Sequence, residues 1–298
     1  MQCNKCRREA ILFQEYSGQH LCKQHVEADV EVKAKYEIRR HRWMIPGDHI
    51  AVALSGGKNS SALLYFFKKL TSNRRDIRIS AITIDEGIAG FRDPGCAMRI
   101  ANALGIECIP VSFLEVFGIT ADEFAHQKGT GLSCTYCRVI KNSLLNRIAG
   151  EHGVTKLALG ETLDDGAVSV LKNILQGAPE RLVGFERTGR GKIPWIRPFI
   201  SIPQKEVALY ADLHLKGCTQ SCCPYKNDPF EGEVQTMLND YTTRHPATKY
   251  ALANLRKNLT GVCGSIADLI PSCAQCGEPT NGECPNCRII GEVTSGGT

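Results

Sequence analysis

Short apolar runs alternate with amphipathic segments from Ile50 onward, and this alternation restricts the fold more than any other feature of the sequence. Four runs have the length and composition of buried strands: Ile50–Leu54, Ile77–Ile84, Cys108–Phe113 and Lys156–Gly160. Segments with a helical period fall between and after them: Ser61–Leu70, Gly95–Leu104, Val139–Ala149 and Ala167–Gln176. This order predicts an α/β fold with a parallel sheet covered on both faces. Ligands of such sheets bind beyond the carboxyl ends of the strands.

The 298 residues are enough for one catalytic domain with small additional modules. We predict four regions: a zinc-binding module at 1–26, a basic helical linker at 27–48, the catalytic domain at 49–262, and a second zinc-binding module with a tail at 263–298. The basic cluster from Lys33 to Arg42 is either a solvated helix face or a contact for nucleic-acid phosphates. Two later segments, Gln204–Leu215 and Pro246–Asn258, also have a helical pattern.

The composition is that of an ordinary globular protein, with 43% hydrophobic and 22% charged residues. No apolar stretch approaches the roughly 20 residues that a membrane span requires, and the polar start has no signal-peptide pattern. We therefore expect a cytoplasmic protein without a membrane partner. A net charge of +5 permits a nucleic-acid partner but does not establish one.

Fifteen cysteines are many for such a chain, and metal binding explains them better than disulfides do. Two residues separate the members of each terminal pair, which lets both side chains reach one tetrahedral ion. The first set is Cys3, Cys6, Cys22 and His25; the second is Cys273, Cys276, Cys284 and Cys287. Four protein ligands close each site, so two structural Zn²⁺ ions are predicted, with free cysteines as the alternative. The modules either contact nucleic acid or cap the fold.

A loop of small residues follows the first predicted strand, directly after Ala53 and Leu54. It consists of Ser55, Gly56, Gly57, Lys58, Asn59 and Ser60. Its backbone N–H groups can converge on an anion, and the helix N-terminus and Lys58 add positive charge. The spacing fits neither the nucleoside-triphosphatase P-loop nor the dinucleotide fingerprint. The loop predicts a phosphate site, with a plain strand-to-helix turn as the alternative.

Two groups of cysteines lie inside the predicted catalytic domain. Cys134 and Cys137 form a C-x-x-C pair, and Cys222 and Cys223 follow much later, before Pro224. The pair with one distant cysteine gives three thiolates, which suit an iron–sulfur cluster with one open iron. A zinc ion with an open position, a redox disulfide and simple packing are the other interpretations of this spacing.

The segment Ser55–Ser60 resembles the SGGKDS pyrophosphate loop of enzymes that cleave ATP to AMP and pyrophosphate, with Asn59 in place of the usual aspartate. Within these PP-loop enzymes, nearly the whole chain resembles the tRNA 2-thiolation group, which has zinc modules at both ends. Cys134, Cys137 and Cys223 match the three cysteines that hold a [4Fe–4S] cluster in that group. Cys222 is the alternative third ligand.

Other segments carry the same resemblance. The sequences Asp85-Glu86-Gly87-Ile88 and Gly90-Phe91-Arg92-Asp93 are similar to the segment beside the adenine in wobble-uridine thiolases of archaea and eukaryotes. The segment Gly160–Asp165 resembles the GHN-x-DD motif of these enzymes, and Lys141 occupies their basic position. The resemblance implies that Ala53, Ile84 and Gly160 lie beside ATP, that Asp165 binds ATP or Mg²⁺, and that Lys141 stabilises charge on an adenylated uridine. By the residues alone, Asp165 could instead cap a helix and Lys141 could be solvated.

The resemblance implies a tRNA-uridine 2-sulfurtransferase that uses ATP with Mg²⁺. The enzyme would adenylate the C2 oxygen of a uridine, at wobble position 34, and replace that oxygen with sulfur. Its expected partners are tRNA and a sulfur donor, either inorganic sulfide or a ubiquitin-like sulfur carrier, with a homodimer as a candidate assembly. The alternatives are thiolation at position 54, persulfide transfer without a cluster, and a catalytically weak tRNA-binding scaffold.

Overall fold

The computed structural model describes residues 1–128, 133–178, 182, 193–218, 223–225, 229–267, 273–274, 280 and 282–295. Within these ranges, the side chains of 127–128, 133–135, 260–267 and 293–295 are not described. Cys134 therefore contributes its backbone position alone, and Cys222 and Cys276 lie outside the described residues.

A small antiparallel hairpin, β1 (Leu12–Gln14) with β2 (Gln19–Leu21), begins the fold. It leads directly into helix α1 (Lys23–Arg40), and Cys22 is the residue that precedes the helix. Cys3, Leu21, Cys22 and Val26 form a buried cluster of their own. This cluster is too small to stabilise a domain alone, which agrees with a module that needs a metal.

A five-stranded parallel sheet forms the centre of the molecule, in the order β5-β4-β3-β6-β7. Its strands are β3 (His49–Ala53), β4 (Arg78–Asp85), β5 (Glu107–Ser112), β6 (Lys156–Ala158) and β7 (Trp195–Ile196). The predicted parallel sheet is confirmed, and each of the four predicted strands is found within two residues of its predicted bounds. The chain builds outward from β3 through β4 to β5, then returns to place β6 on the other side of β3. The strand order therefore reverses beside β3, where open α/β sheets bind ligands.

Ten further helices follow α1. They are α2 (Lys58–Leu70), α3 (Pro94–Ala103), α4 (Phe113–Phe117), α5 (Ala121–Lys128), α6 (Ser133–Glu151), α7 (Leu163–Leu175), α8 (Gln204–His214), α9 (Pro229–Arg244), α10 (Thr248–Ala267) and α11 (Pro285–Ser295), counted over the described residues. Helix α6 begins six residues before the predicted Val139, so Cys134, Cys137 and Lys141 belong to one helix. The sequence analysis did not predict the helices α4, α5, α9 and α11.

Both faces of the sheet are buried, as a parallel sheet requires. Alternate residues of β3 divide between the faces, with Ile50 and Val52 in one core cluster and Ala51 in the other. The first face is covered by α1, α2 and α8, and the second by α6 and α11. Among the helices that the structure describes, none combines the length and the apolar character that crossing a membrane demands.

The predicted linker, residues 27–48, contains most of α1 and packs against the catalytic core. Val30, Ala34 and Ile38 are buried in the main core cluster. Lys33 Nζ lies 2.6 Å from Asp29 and 3.0 Å from Glu206 of α8, so this ammonium joins the two helices. The helix ends at Arg40, several residues before Pro46. The basic cluster is thus partly used in ion pairs inside the protein.

Candidate functional site

The predicted phosphate loop connects the carboxyl end of β3 to the N-terminus of α2. Gly56 has a φ of +75°, a conformation that favours glycine, and Gly57 is the N-cap of α2 without a side-chain cap. The loop is closed by Ser60, whose Oγ accepts from the Ser55 N–H at 3.1 Å and donates to the Gly57 carbonyl at 3.2 Å. The first N–H groups of a helix have no intrahelical acceptors, and the N-terminus of α2 lies just beyond the carboxyl end of β3, which suits an anion.

The loop after β6 presses directly on this phosphate loop. A Cβ atom on Gly160 would lie 2.8 Å from the Ser60 amide nitrogen and 2.8 Å from the Asn59 carbonyl carbon. Any larger residue would displace the backbone of the phosphate loop. Ala53 pairs with Ile82 across β3 and β4, and Ile84 follows two residues later on β4. Ala53, Ile84 and Gly160 therefore lie at the same end of the sheet.

Lys58, which is predicted to meet a phosphate, forms an ion pair with Asp212 of α8. Its Nζ lies 2.7 Å from Oδ2, and the Asp212 side chain is 51% exposed. Exposed ion pairs are worth about 0–1 kcal/mol, so a phosphate can compete for the ammonium. The sequence analysis did not identify Asp212, because its distance from Lys58 in the chain hides the contact.

The chain after α8 also passes beside the phosphate loop. The Cys96 thiol donates to the Gly217 carbonyl at 2.9 Å, and Cys96 Sγ lies 3.7 Å from the position of a Cβ on Gly56. The next residue, Cys218, interacts with Ser61 of α2, and burial raises the pKa of its thiol. These contacts fix the start of the segment that continues to Cys223.

A cavity of about 260 Å³ lies beyond the ends of β4 and β5. Cys137 and Lys141 of α6 and the distant Cys223 all line it. Its other walls are largely apolar and aromatic: Ile88, Phe91, Phe113, Phe117, Ile119 and Phe124. The fold thus brings together two of the three predicted cluster cysteines and the predicted basic residue. The two thiols in an apolar, half-enclosed site are donors of the kind that an iron–sulfur cluster requires.

Glu86 places a carboxylate on the wall of this cavity. It follows β4, is 3% exposed, and its Oε1 accepts from Lys141 Nζ at 3.1 Å and from Arg92 Nη1 at 3.1 Å. Glu86 and Arg92 belong to the segments that carry the family resemblance, and the sequence alone indicates no role for either side chain. A buried acid following a strand, with an arginine six residues later, was the available sequence signal.

Asp165 caps helix α7 through a capping box with Thr162. Its Oδ2 accepts from both the N–H and the hydroxyl of Thr162 at 2.8 Å. Burial raises the pKa of the Asp165 carboxyl, although the bonds from Thr162 oppose this shift. Asp164 instead accepts from Lys249 Nζ at 2.6 Å and from the Gln204 N–H at 2.7 Å. The capping interpretation is therefore realised at Asp165 but not at Asp164, and a ligand contact for Asp165 stays a prediction.

The N-terminal set of Cys3, Cys6, Cys22 and His25 converges, with ligand atoms all within 4.8 Å of one another. Cys6 Sγ and Cys22 Sγ lie 3.7 Å apart, and His25 Nδ1 lies 3.2 Å from Cys3 Sγ and 3.4 Å from Cys22 Sγ. Ligands about 2.0–2.3 Å from a tetrahedral zinc ion lie roughly 3.5–3.8 Å from one another. The donor set fits Zn²⁺, and each of these distances lies within about 0.3 Å of the tetrahedral range.

At the other end, Cys273, Cys284 and Cys287 also converge within 4.8 Å, and Cys273 Sγ lies 3.6 Å from Cys287 Sγ. The fourth predicted ligand, Cys276, lies outside the described residues. Helix α11 of this module packs on α6, where the Tyr136 hydroxyl donates to Glu292 at 2.8 Å. The C-terminal module thus contacts the helix that carries Cys137 and Lys141.

The comparisons with known proteins cover nearly the whole chain. The model of the PP-loop domain matches residues 28–219, and the model of the N-terminal LIM domain of the 2-thiouridine synthetase TtuA matches residues 2–25. The tRNA 2-thiolation protein NcsA of Haloferax volcanii is 32% identical over 319 aligned positions, which cover 98% of this chain and 99% of that protein. The chain belongs to the PP-loop family of tRNA 2-thiolation proteins.

Two further members of this family are informative. The structure of the U34-tRNA thiolase NcsA from Methanococcus maripaludis with its [4Fe–4S] cluster superimposes with a TM-score of 0.81 at 28% identity, covering 98% of this chain and 96% of that chain. The tRNA-5-methyluridine(54) 2-sulfurtransferase of Pyrococcus horikoshii is 28% identical, covering 98% of this chain and 94% of that protein. Relatives named for position 34 and for position 54 thus both align along nearly the whole chain.

Proposed function

We propose that this protein is an ATP-dependent tRNA-uridine 2-sulfurtransferase that makes 2-thiouridine at wobble position 34. The observation that carries the proposal is the convergence of Cys137, Cys223 and Lys141 on one cavity at the same sheet edge as the phosphate loop. The relatives named for tRNA 2-thiolation support the same chemistry. Position 34 is supported by the similarity of Asp85–Asp93 to wobble-uridine thiolases and by the thiolase from Methanococcus maripaludis.

The reaction has two steps that balance without an oxidant or a reductant. The C2 oxygen of the uridine attacks the α-phosphorus of ATP, the bond to the β-phosphate breaks, and pyrophosphate leaves. Hydrosulfide then adds to C2, the C2–O bond breaks, and AMP leaves with the uridine oxygen while the sulfur gives up its proton to water. Adenylation is needed because a phosphate ester leaves far more readily than an oxide. The target base must be unstacked to enter the cavity.

The chain's own residues divide between binding and charge stabilisation. The loop Ser55–Ser60 holds the phosphates through its backbone N–H groups and Lys58, and Ala53, Ile84 and Gly160 border the nucleotide. Lys141 stabilises the negative charge that develops on the adenylated uridine. Asp165 is the candidate carboxylate for Mg²⁺. Asn59, an amide where the family has aspartate, can donate and accept hydrogen bonds but cannot neutralise a cation.

Cys137 and Cys223, together with Cys134, are the proposed ligands of a [4Fe–4S] cluster. When bound, such a cluster supplies an iron without a cysteine ligand that can activate sulfide for transfer. The apolar walls of the cavity keep water from competing with the sulfur nucleophile. Two Zn²⁺ ions are proposed, one for each terminal module. The exposed Lys5, Arg7 and Arg8 of the N-terminal module are candidate tRNA contacts. The proposed sulfur donor is inorganic sulfide or a ubiquitin-like sulfur carrier, the proposed assembly a homodimer, and the proposed compartment the cytoplasm.

Nucleoside mass spectrometry of tRNA tests the function. A strain that lacks the protein should lose 2-thiouridine at position 34, and the wild-type gene should restore it. Cys137→Ala should fail to restore it, whereas Cys108→Ala should succeed, because burial raises the pKa of the Cys108 thiol to about 11 and Cys108 lies away from the cavity. Unchanged 2-thiouridine in the deletion strain would refute the function, and its loss at position 54 alone would reassign the position.

The cluster and its third ligand need a separate measurement. Anaerobically purified wild-type protein should contain four iron and four sulfide ions per chain for a [4Fe–4S] cluster. Cys223→Ala should lower this content, and Cys222→Ala should not. A colourless, iron-free protein that still thiolates tRNA would favour persulfide transfer instead. A protein that releases no pyrophosphate with ATP and tRNA would favour the scaffold alternative.

A further inference from the structure

We propose that Glu86 is a positioning residue of the sulfurtransferase, because its buried carboxylate holds Lys141 and Arg92 side by side on the cavity wall. This inference rests on the proposed function and describes how the same site is organised. Its physical basis is one carboxylate oxygen shared between two cations.

The position of Glu86 is fixed by the fold. It directly follows β4, and its backbone carbonyl accepts from the Ala121 N–H at 2.8 Å, which ties the end of the strand to the start of α5. Its side chain is 4% exposed, so the carboxylate is almost completely removed from water. A buried carboxylate is costly unless charged donors satisfy it, and here the ammonium of Lys141 and the guanidinium of Arg92 do so.

The arrangement leaves an excess of positive charge at the cavity. One negative group faces two positive groups, and each cation has further N–H donors besides the one that Glu86 accepts. The Lys141 and Arg92 side chains are 28% and 34% exposed, so both reach beyond the carboxylate. The aromatic walls lower the local dielectric and strengthen the attraction for an anion. The group with the right charge is the phosphate that forms the adenylate and later leaves as AMP.

The backbone of the segment that carries Arg92 is strained at this residue, and its side chain packs against a neighbouring ring. Arg92 has a φ of +33°, in the left-handed region that residues other than glycine rarely adopt, and such strain persists where the surroundings hold it. Its guanidinium lies 4.8 Å from the centre of the Phe91 ring. The other titratable and charged side chains on the described wall are Cys137, Arg138, Cys223 and Tyr225. Arg138 adds to the positive charge of the wall.

A double-mutant cycle tests whether Glu86 acts through Lys141. Pyrophosphate release with ATP and tRNA measures the adenylation step separately from sulfur transfer. Glu86→Gln keeps the shape but removes the charge, and we expect kcat to fall on the order of 10- to 100-fold because the cations lose their fixed positions. The KM for ATP should change by less than about twofold, since the phosphate loop supplies most of the nucleotide binding and the cavity cations act on the charge that develops during transfer. In a Lys141→Met background, Glu86→Gln should lower kcat by less than about threefold more.

Glu37 provides the matched control. It is also a buried glutamate with two basic side chains beside it, Arg40 at 3.7 Å and His41 at 3.5 Å, but it lies on α1 away from the cavity. Glu37→Gln should leave kcat unchanged and combine with Lys141→Met without coupling. The proposal would be overturned if the kcat losses of Glu86→Gln and Lys141→Met multiplied in the double variant. A wild-type kcat in Glu86→Gln would also overturn it.

The test remains decisive in two difficult cases. If Glu86→Gln does not fold, Arg92→Met and Lys141→Met can be combined instead, because two cations held by one carboxylate should give losses that are smaller together than their product; multiplied losses would overturn the proposal. If the wild-type protein releases no pyrophosphate with ATP and tRNA, the proposed function fails. If the wild type releases pyrophosphate but Glu86 and Lys141 show no coupling, the positioning role of Glu86 is rejected and the proposed function stands.

Discussion

Replacing Gly160 with alanine should damage the phosphate loop. The new Cβ would lie 2.8 Å from both the Ser60 nitrogen and the Asn59 carbonyl carbon, well short of an ordinary 3.4 Å contact. Both obstacles are backbone atoms, so no flexible side chain can move aside. The two loops must separate by about half an ångström to regain a normal van der Waals distance. Overpacking of this kind costs about 1–3 kcal/mol.

Two measurements follow from that displacement. At about 2–4 °C per kcal/mol for a domain of this size, the melting temperature by circular dichroism should fall by about 2–12 °C. The kcat/KM for ATP in pyrophosphate release should fall on the order of tenfold or more, because the phosphates sit on the displaced backbone.

Gly150→Ala is the matched control for this substitution. Gly150 lies in α6 with nothing within 4 Å of the added Cβ, so stability should rise by up to about 1 kcal/mol with unchanged kinetics. A Gly160→Ala protein with wild-type melting and wild-type kcat/KM would show that the two loops do not constrain each other.

Three further substitutions give distinct results. Asp48→Asn leaves the Lys156 ammonium, which lies 2.5 Å from the carboxylate, without its charge partner; urea unfolding should show a loss of about 3–5 kcal/mol at neutral pH. Burial raises the pKa of the Asp48 carboxyl, but hydrogen bonds from the Ile45 N–H and from Lys156 lower it more, so that the pKa lies below its ordinary value of 3.8. The difference in unfolding free energy between the variant and the wild type should therefore shrink as the pH falls below that value. Cys22→Ser should remove one zinc equivalent by mass spectrometry of metals and leave the iron content unchanged. Asp212→Asn frees Lys58, and the KM for ATP should fall by up to about fivefold, whereas a rise would contradict the competition between Asp212 and phosphate.

Local patterns in the sequence determined much of the architecture. The four apolar runs became the central strands because burial on both faces of a parallel sheet requires such runs. The terminal Cys and His pairs determined the candidate metal sites because two-residue spacing acts within one turn of chain. The phosphate loop is equally local. Among the elements that were not predicted, the two-residue strand β7 and the helix α9 lack a periodic pattern that would distinguish them from a loop.

The tertiary structure alone decided how the site is assembled. Cys223 and Cys137 line the same cavity although their spacing in the chain does not require it, and Asp212 meets Lys58 across two packed helices. The same holds for Glu86, whose Oε1 atom accepts hydrogen bonds from both Lys141 and Arg92. Charge pairs between distant segments depend on the packing of whole elements, whereas strands, turns and metal-ligand pairs depend on neighbours in the chain. The sequence therefore determined which chemical groups the protein possesses, and the fold determined which of them meet.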